Sequence, residues 1–333
     1  MPNSSNSTLS LSLPVGYGIP PSELVRVIQR ADRSGLAGVG VGELASTDAV
    51  ALLAAAAPST EQIRLETSVL SVLTRSPALF AMTAATLAQL SGGRFALGLG
   101  AGSPIVAGFH GLPFERPLAR VERWITDVRN ALAGGTLDDW GSFRLRGIDP
   151  APVPLLLAAM NTGMIELAGR AADGVIFNFC GPDQVRALSA TARMARPAGA
   201  NSEFEVHTTL WADASGDAEH ARERFRSEMA PYLAVPTYRS AVVALSDEDA
   251  IDRATAAWAA NGRKAAAELF PDSIVDAVLA TDADDLASKA AALAEAGCTG
   301  VRVTPLTHEL GNATHAMAVI DLIAEVAERT GAR

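Results

Sequence analysis

The spacing of apolar residues changes from segment to segment along the chain. Some segments show the spacing typical of buried strands, and others show that of amphipathic helices. Short apolar segments predict eight strands, and each is followed by a longer segment with helical periodicity. The predicted strands are Leu9–Tyr17, Ala37–Gly42, Ile63–Val69, Phe95–Leu99, Leu155–Ala159, Val175–Phe179, Glu205–Trp211 and Gly300–Thr304. The predicted helices are Ser22–Ser34, Asp48–Ala57, Pro77–Leu90, Pro117–Leu132, Met164–Ala171, Pro182–Ala195, Asp217–Tyr232, Ala283–Ala296 and Ala313–Glu328.

Eight strand–helix units predict an α/β fold, a (β/α)8 TIM barrel, with a doubly wound sheet as the alternative. Residues 1–10 are rich in Asn and Ser and are predicted to be a disordered leader. Residues 11–333 then form a single barrel domain. Segment 233–281 shows helical patterns without a convincing strand, which predicts a helical insertion near the seventh unit. Segment 134–152 is expected to be a turn-rich loop or a small hairpin.

Composition narrows the class of protein. The chain has 333 residues, 49% of them hydrophobic, and a net charge of −10, which argues against a nucleic-acid surface. Two cysteines are too few for a disulfide framework, and the five histidines lack metal-ligand spacing, so no metal site is expected. With neither a signal peptide nor an apolar segment long enough for a bilayer, the chain is predicted to be cytoplasmic.

The segment from Ser91 to Pro104 is unusually rich in glycine for a strand. Gly98, Gly100 and Gly102 alternate, so they share one face that carries no side chains. Such a face either allows close packing within the barrel or forms a floor beneath a cofactor. A dinucleotide fingerprint is disfavoured, because Ser103 replaces the third glycine.

Three other segments lie at the carboxyl ends of predicted strands, where (β/α)8 enzymes build their active sites. Asn161-Thr-Gly163 opens a helix, and it is either a phosphate site or an ordinary N-cap. Glu43 is the candidate proton donor, unless it is paired with a neighbouring arginine. In the segment from Glu66 to Pro77, polar side chains that include Thr67 and Ser68 can bind a ring edge. Arg75 there binds an anion or forms a salt bridge.

These segments together resemble the luciferase-like flavin and deazaflavin oxidoreductases. The matching stretches are 31–35 with 39–43, 67–77, 92–102, 154–178 and 294–305. The Gly-Gly-Arg-Phe strand and the Leu-Ala-Gly-Arg-Ala-Ala-Asp-Gly segment at 167–174 are specific for the superfamily and much less specific for the substrate. The branch most similar to this chain is that of the methylenetetrahydromethanopterin reductases, whose members mostly use coenzyme F420.

The resemblance implies that F420, or alternatively FMN, binds at the carboxyl ends of the barrel strands. It implies a phosphate site around 100–103 and 162–164, and a non-proline cis peptide near 67–69 behind the cofactor ring. Replacing Gly102 with valine is expected to abolish cofactor binding and to leave the fold largely intact. The predicted cofactor-binding residues are Thr67, Ser68, Val69, Gly100, Ala101, Gly102, Ser103, Asn161, Thr162, Gly163 and Met164.

The expected activity is hydride transfer between reduced F420 and a small organic substrate, with reduction of a C=C, C=N or carbonyl group. Many relatives carry histidine after the second strand, whereas this chain reads Glu43-Leu-Ala-Ser-Thr47. This departure disfavours the alternative, an FMN-dependent monooxygenase fed by a separate reductase. It also allows a third hypothesis, a barrel that binds a flavin or a partner without turnover. A homodimer is expected, because dimers are common in the superfamily.

Overall fold

A computed structural model of the protein describes residues 7–148, 152–200, 203–307 and 309–332. Its strands are all parallel and form one sheet. They are β1 (Thr8–Ser12), β2 (Gly38–Val41), β3 (Arg64–Thr67), β4 (Leu70–Ser71), β5 (Phe95–Gly100), β6 (Leu155–Ala158), β7 (Gly174–Ile176), β8 (Glu205–Ala212), β9 (Leu279–Ala280) and β10 (Gly300–Pro305). Because β10 pairs with both β8 and β1, the sheet closes into an eight-stranded barrel, and the short β4 and β9 extend it at β5 and β8. The predicted TIM barrel is confirmed.

Helices surround the barrel and connect successive strands. They are α1 (Pro21–Arg33), α2 (Ala49–Ala56), α3 (Pro77–Leu90), α4 (Pro104–Phe109), α5 (Pro117–Leu132), α6 (Thr162–Ala171), α7 (Pro182–Met194), α8 (Ala218–Leu233), α9 (Pro236–Val243), α10 (Glu248–Glu268), α11 (Asp272–Val278), α12 (Ala283–Glu295) and α13 (Thr314–Thr330). Several begin where the sequence places a proline or a capping side chain. Ser76, for example, accepts a hydrogen bond from Leu79 N at 3.2 Å, and Pro77 starts α3.

The apolar core lies between the barrel wall and the helices. Alternate strand residues point outward, are fully buried and pack beneath the helices. They include Leu9, Leu11, Val39, Val41, Leu65, Leu97, Leu99, Leu155, Leu157, Val175, Val206, Leu210, Val301 and Val303. Of the helices in the described ranges, none combines the length and apolar composition that a bilayer span needs.

Four local predictions need correction. Residues 8–10 belong to β1, so they are not part of a disordered leader, and residues 1–6 lie outside the described ranges. The predicted third strand is interrupted after Thr67 and resumes as β4. The short helix α4, which begins at Pro104, was missed, because six residues are too few to show helical periodicity. The insertion consists mainly of α9, α10 and α11, but it ends in the two-residue strand β9.

The inside of the barrel is polar, and five ionisable side chains occupy it. Glu66 of β3 pairs with Arg302 of β10 and lies 3.1 Å from Arg64 Nε. Arg64 also donates two hydrogen bonds to Glu205, and His207 Nε2 lies 2.9 Å from the Glu205 carboxylate. The two glutamates neutralise the two arginines, so the interior carries paired charges rather than an apolar filling.

Burial and neighbouring charges shift the titration of this cluster. Burial opposes ionisation of Glu205, but its hydrogen bond to His207 and the charge of Arg64 hold its pKa at about 2. Glu66 is also buried, yet Arg302, His207 and Arg64 lower its pKa. Burial, followed by the adjacent Arg302, lowers the pKa of His207. The folded protein therefore binds fewer protons in this cluster than the unfolded chain does at acidic pH.

Lowering the pH is expected to destabilise the protein through these groups. The unfolded chain protonates a histidine near pH 6.5 and a glutamate near 4.5, whereas folding keeps His207 neutral and Glu205 ionised. The stability that Glu205 contributes is thus complete above about pH 4.5 and is lost as the pH falls toward 2. Its loss amounts to at most about 3 kcal/mol. Urea unfolding at a series of pH values measures this. The Glu205→Gln variant should show a shallower acid slope, and an unchanged slope would contradict the assignment.

Candidate active site

A bulge interrupts the barrel wall between β3 and β4, at the carboxyl end where (β/α)8 enzymes bind their substrates. The peptide bond between Ser68 and Val69 is cis, which confirms the cis peptide expected near residues 67–69. Ser68 and Val69 are partly exposed, whereas Thr67 is fully buried. The bulge therefore presents two of the three predicted residues to the barrel mouth.

Glycines on the neighbouring strands make room for this bulge. A Cβ atom on Gly98 of β5 would lie 1.9 Å from the Thr67 carbonyl oxygen, and one on Gly40 of β2 would lie 2.9 Å from Ser68 Cβ. At Gly100 the nearest atom would be Val69 Cγ2, at 3.2 Å. The bulge itself therefore packs against the face that carries these glycines. The sequence left open whether these glycines serve close packing or form a floor beneath a cofactor. Close packing applies to Gly98, and Gly100 lies beside the Val69 side chain of the bulge.

Thr67 does not bind a ring through its side chain. Its hydroxyl donates to the Gly98 carbonyl at 2.7 Å and lies 2.9 Å from the Gly98 amide nitrogen, which donates to it. These hydrogen bonds join β3 to β5 inside the barrel wall and engage the hydroxyl, so a cofactor contact by Thr67 stays a prediction only for its backbone. Thr67 instead anchors the start of the bulge.

The loop after β5 has strict backbone requirements of its own. Gly102 adopts a φ of +73°, and a Cβ there would lie 2.4 Å from Ser71 Oγ. Ser103 caps α4 by accepting a hydrogen bond from Val106 N at 3.2 Å. The expectation that Gly102→Val would leave the fold largely intact needs correction, because valine would strain this loop directly. Ala101, Gly102 and Ser103 remain partly exposed at the mouth.

The loop after β6 lies beside the loop after β5, because β5 and β6 are paired. Asn161 caps α6 by accepting a hydrogen bond from Met164 N at 3.1 Å, so the capping interpretation applies to it. The Met164 side chain packs in the apolar core, and its amide is used by the cap, which removes both from a binding role. Among the hydrogen bonds of the described residues, none uses the amides of Thr162 and Gly163.

Glu43 lies at the mouth beyond β2 and is paired with an arginine, as the sequence analysis allowed. Its carboxylate accepts from Arg75 Nη2 at 2.8 Å and from Ala49 N at 3.2 Å. The same guanidinium nitrogen lies 3.4 Å from Asp48, and the Arg75 side chain is only 13% exposed. Arg75 thus forms a salt bridge between the loop after β2 and the start of α3, and it holds the Glu43 carboxylate in one orientation.

Aromatic side chains gather at the carboxyl ends of β7 and β8. Phe179, which has a φ of +53°, stacks on Trp211 with ring centroids 4.9 Å apart. Tyr232 and Tyr238, from α8 and α9, lie 5.4 and 5.6 Å from Phe179. Burial raises the pKa of Tyr238 to about 12, and its side chain is hydrogen-bonded to Asn178. The sequence missed this cluster because Tyr232 lies at the end of α8 and Tyr238 in the insertion, both far along the chain from Phe179. Phe179 and Trp211, however, end predicted strands, a signal that could have located half of it.

The opposite end of the barrel holds a cavity of about 890 Å³. Arg129, Asp173 and Glu205 line it, and Asp173 is held by Arg129 at 3.1 Å and by Leu155 N at 2.8 Å. Polar residues at this end of a (β/α)8 barrel generally serve stability, so the cavity is not assigned to catalysis. Within the described ranges, no three His, Cys, Asp or Glu side chains are arranged to hold a metal ion.

Comparisons with known proteins agree with this geometry. The sequence profile of the family described as luciferase-like monooxygenase matches residues 5–300. The chain is 30% identical to a "Putative coenzyme F420-dependent oxidoreductase" of Mycobacterium tuberculosis, over 89% of this chain and 95% of the relative. It also resembles two solved structures, the F420-dependent tetrahydromethanopterin reductase of Methanopyrus kandleri and an oxygenating constituent of 3,6-diketocamphane monooxygenase from Pseudomonas putida in complex with FMN.

The reductase superposes with a TM-score of 0.76 at 20% identity, covering 96% of this chain and 98% of the reductase. The monooxygenase superposes with a TM-score of 0.68 at 18% identity, covering 97% and 98%. At these identities the two structures support the fold alone. The profile match spans most of the chain, and the protein therefore belongs to the luciferase-like monooxygenase family. It is an enzyme of the oxidoreductase class.

Gly98→Ala is expected to destabilise the barrel and distort the bulge, because the new methyl group meets the Thr67 carbonyl oxygen at 1.9 Å. Overpacking of this kind costs about 1–3 kcal/mol or more. Thermal and urea unfolding measure the loss. Gly108→Ala is the matched control, since a Cβ on Gly108 would meet no atom within 4 Å. Equal stability of the two variants would show that the bulge does not require the glycine.

Proposed function

We propose that the protein is an F420-dependent oxidoreductase that transfers a hydride between reduced deazaflavin and a small organic substrate, reducing a C=C, C=N or carbonyl group. The observation that carries the proposal is the 30% identity, over 89% of the chain, with a relative named for F420. The interruption between β3 and β4 at Ser68 and Val69 supports it, because the superfamily resemblance implies a bulge there behind the cofactor ring.

The residues at the mouth fit a large, flat ring with a phosphate-bearing tail. Ser68 and Val69 offer a partly exposed surface, and Gly98 and Gly100 of β5 lie beside Val69, since a Cβ atom on either would come within 3.2 Å of its side chain. Next to them, the first turn of α6 offers the amides of Thr162 and Gly163 at the positive end of the helix. An anionic phosphate bound there would satisfy both amides.

The aromatic cluster supports a substrate site on the other side of the mouth. Trp211 and Phe179 are almost completely buried and stacked, so they form a rigid apolar wall beyond β7 and β8. Tyr238 holds the insertion against this wall through Asn178. Such a wall excludes water and favours an apolar or carbonyl-bearing substrate over a charged one. When bound, reduced F420 supplies a hydride from C5 of its ring.

Glu43 is our candidate proton donor at this mouth, and Arg75 is its positioning partner. The Arg75 salt bridge and the Ala49 amide fix the Glu43 carboxylate beside the loop that leads into α2. Because these contacts fix the position of the side chain, we propose that Glu43 exchanges a proton with the substrate or with a bound water during turnover. The side chain is 19% exposed, so water can reach it.

An FMN-dependent monooxygenase is the second candidate, and one observation favours it. The FMN-bound oxygenating constituent shares the fold over 97% of this chain. Against it stands the sequence after β2, where Glu43-Leu-Ala-Ser-Thr47 contains no histidine. The two functions require different ring chemistry at the same bulge, so cofactor preference separates them.

Titration of the purified protein with F420 and with FMN tests the proposal. Fluorescence or absorbance should reveal saturable F420 binding, and reduced F420 should be oxidised when a panel of enones, imines and ketones is added. Tight FMN binding without F420 affinity would overturn the F420 assignment in favour of the monooxygenase. Absence of binding to either cofactor would overturn both.

Replacing Glu43 with Gln tests the proton donor. We expect kcat to fall about 100-fold, since positioned acid–base groups contribute at least that much, while cofactor affinity changes little. Asp48→Asn is the matched control, because Asp48 approaches the same Arg75 nitrogen but its side chain is 54% exposed. If Glu43→Gln and Asp48→Asn lower kcat equally, or if neither does, Glu43 is not the donor.

A further inference from the structure

Arg302 is the most deeply buried charged residue of the barrel interior, and most of its hydrogen-bonding capacity is unused. Its side chain is 1% exposed. One guanidinium nitrogen, Nη2, donates to the Glu66 carboxylate. The other two, Nε and Nη1, are buried and have no hydrogen-bond partner among the described residues. Leaving buried N–H groups unpaired is costly, so this arrangement calls for an explanation beyond packing.

The Arg302 guanidinium and the bulge both border Gly40 of β2. The Cβ position of Gly40 is 3.5 Å from Arg302 Nε and 2.9 Å from Ser68 Cβ, so both groups border the same point. Gly40 has no side chain, and nothing from β2 therefore separates Arg302 from Ser68. The unpaired Nε and the bulge are thus both neighbours of Gly40, and the bulge is the segment against which we propose that the cofactor ring rests.

The charges of the interior are ordered along the barrel axis. Arg64 and Glu205 occupy the amino-terminal end, where their side chains are 31% and 25% exposed. His207 follows, and burial together with the nearby Arg302 lowers its pKa, so it is neutral at pH 7. Glu66 and Arg302 come last, and the guanidinium is the group that reaches Gly40 beneath the bulge. Within this ion pair the guanidinium is the member nearer Gly40, whereas the Glu66 carboxylate is shared with Arg64, so the positive end of the pair is turned toward the bulge.

A purely structural role explains this arrangement poorly. Buried ion pairs contribute little net stability, and well-packed apolar residues of similar volume are often as good or better. An apolar filling would also leave no unpaired N–H groups. A fixed positive charge in a low-dielectric interior, however, acts strongly on an electron-rich group bound a short distance away.

We propose that Arg302 is a positioning residue whose charge, acting through the Ser68–Val69 bulge, makes the site bind the reduced, anionic form of its ring cofactor more tightly than the oxidised form. This inference rests on the proposed function. Charge near the ring is one of the means by which a protein tunes a bound redox cofactor. Such a preference raises the potential of the bound cofactor and favours occupancy of the site by the form that carries the hydride.

The test compares affinities for the two redox states of F420, or of FMN if the protein prefers it. The double variant Arg302→Met/Glu66→Gln removes the pair without leaving a lone buried charge. We expect the ratio of the oxidised-form Kd to the reduced-form Kd to fall about tenfold. For a two-electron couple this equals a shift of about 30 mV in the potential of the bound cofactor. Anaerobic fluorescence and absorbance titrations measure both constants without any turnover assay.

Two control variants separate this role from stability. Arg64→Met/Glu205→Gln removes an ion pair at the far end of the same interior and should leave the ratio unchanged even if the melting temperature falls. Arg302→Lys keeps the charge and should retain most of the ratio. An unchanged ratio in the Arg302→Met/Glu66→Gln variant, or an equal fall in both double variants, would overturn the inference. Failure of the wild-type protein to bind either cofactor would instead overturn the proposed function.

Discussion

The contact between the Thr67–Val69 bulge and the glycines beside it is the constraint on which the rest of the candidate site depends. Gly98 and Gly40 leave just enough room for the bulge, and the Thr67 hydroxyl ties it to β5. Because the wall is interrupted there, Ser68 and Val69 face the mouth instead of the core. A side chain on either glycine would push the bulge into the space proposed for the cofactor.

The barrel separates two kinds of interior. Outside the wall, aliphatic side chains supply the stabilising apolar core. Inside it, Glu66, Arg302 and His207 form a paired, polar filling beneath the bulge. The fold thus obtains its stability from one face of each strand and leaves the other face available for electrostatics. Such a division suits a redox enzyme, since charge can be adjusted near the cofactor without disturbing the apolar core.

The loops at the mouth distinguish this chain within its family. The segment after β2 offers Glu43, held by Arg75, in place of a histidine. The end of α8 and the insertion after it bring Tyr232 and Tyr238 together with Phe179. Both groups belong to segments outside the barrel wall, whereas the barrel is the fold that the chain shares with the solved structures. Substrate choice is therefore a property of the loops, and it is the part of the function that fold similarity does not determine.

The sequence by itself determined the barrel, because strand and helix periodicities are local properties of a chain. It also offered N-capping as one role for Asn161, since a cap acts within a few residues of itself, whereas the bulge was implied by the resemblance to a known family. Only the tertiary structure decided that Thr67 faces the wall and that Met164 packs in the core. It alone brought Arg302 beneath Ser68, across 234 positions of sequence. Contacts of this kind depend on strand register and barrel closure, which no local pattern encodes.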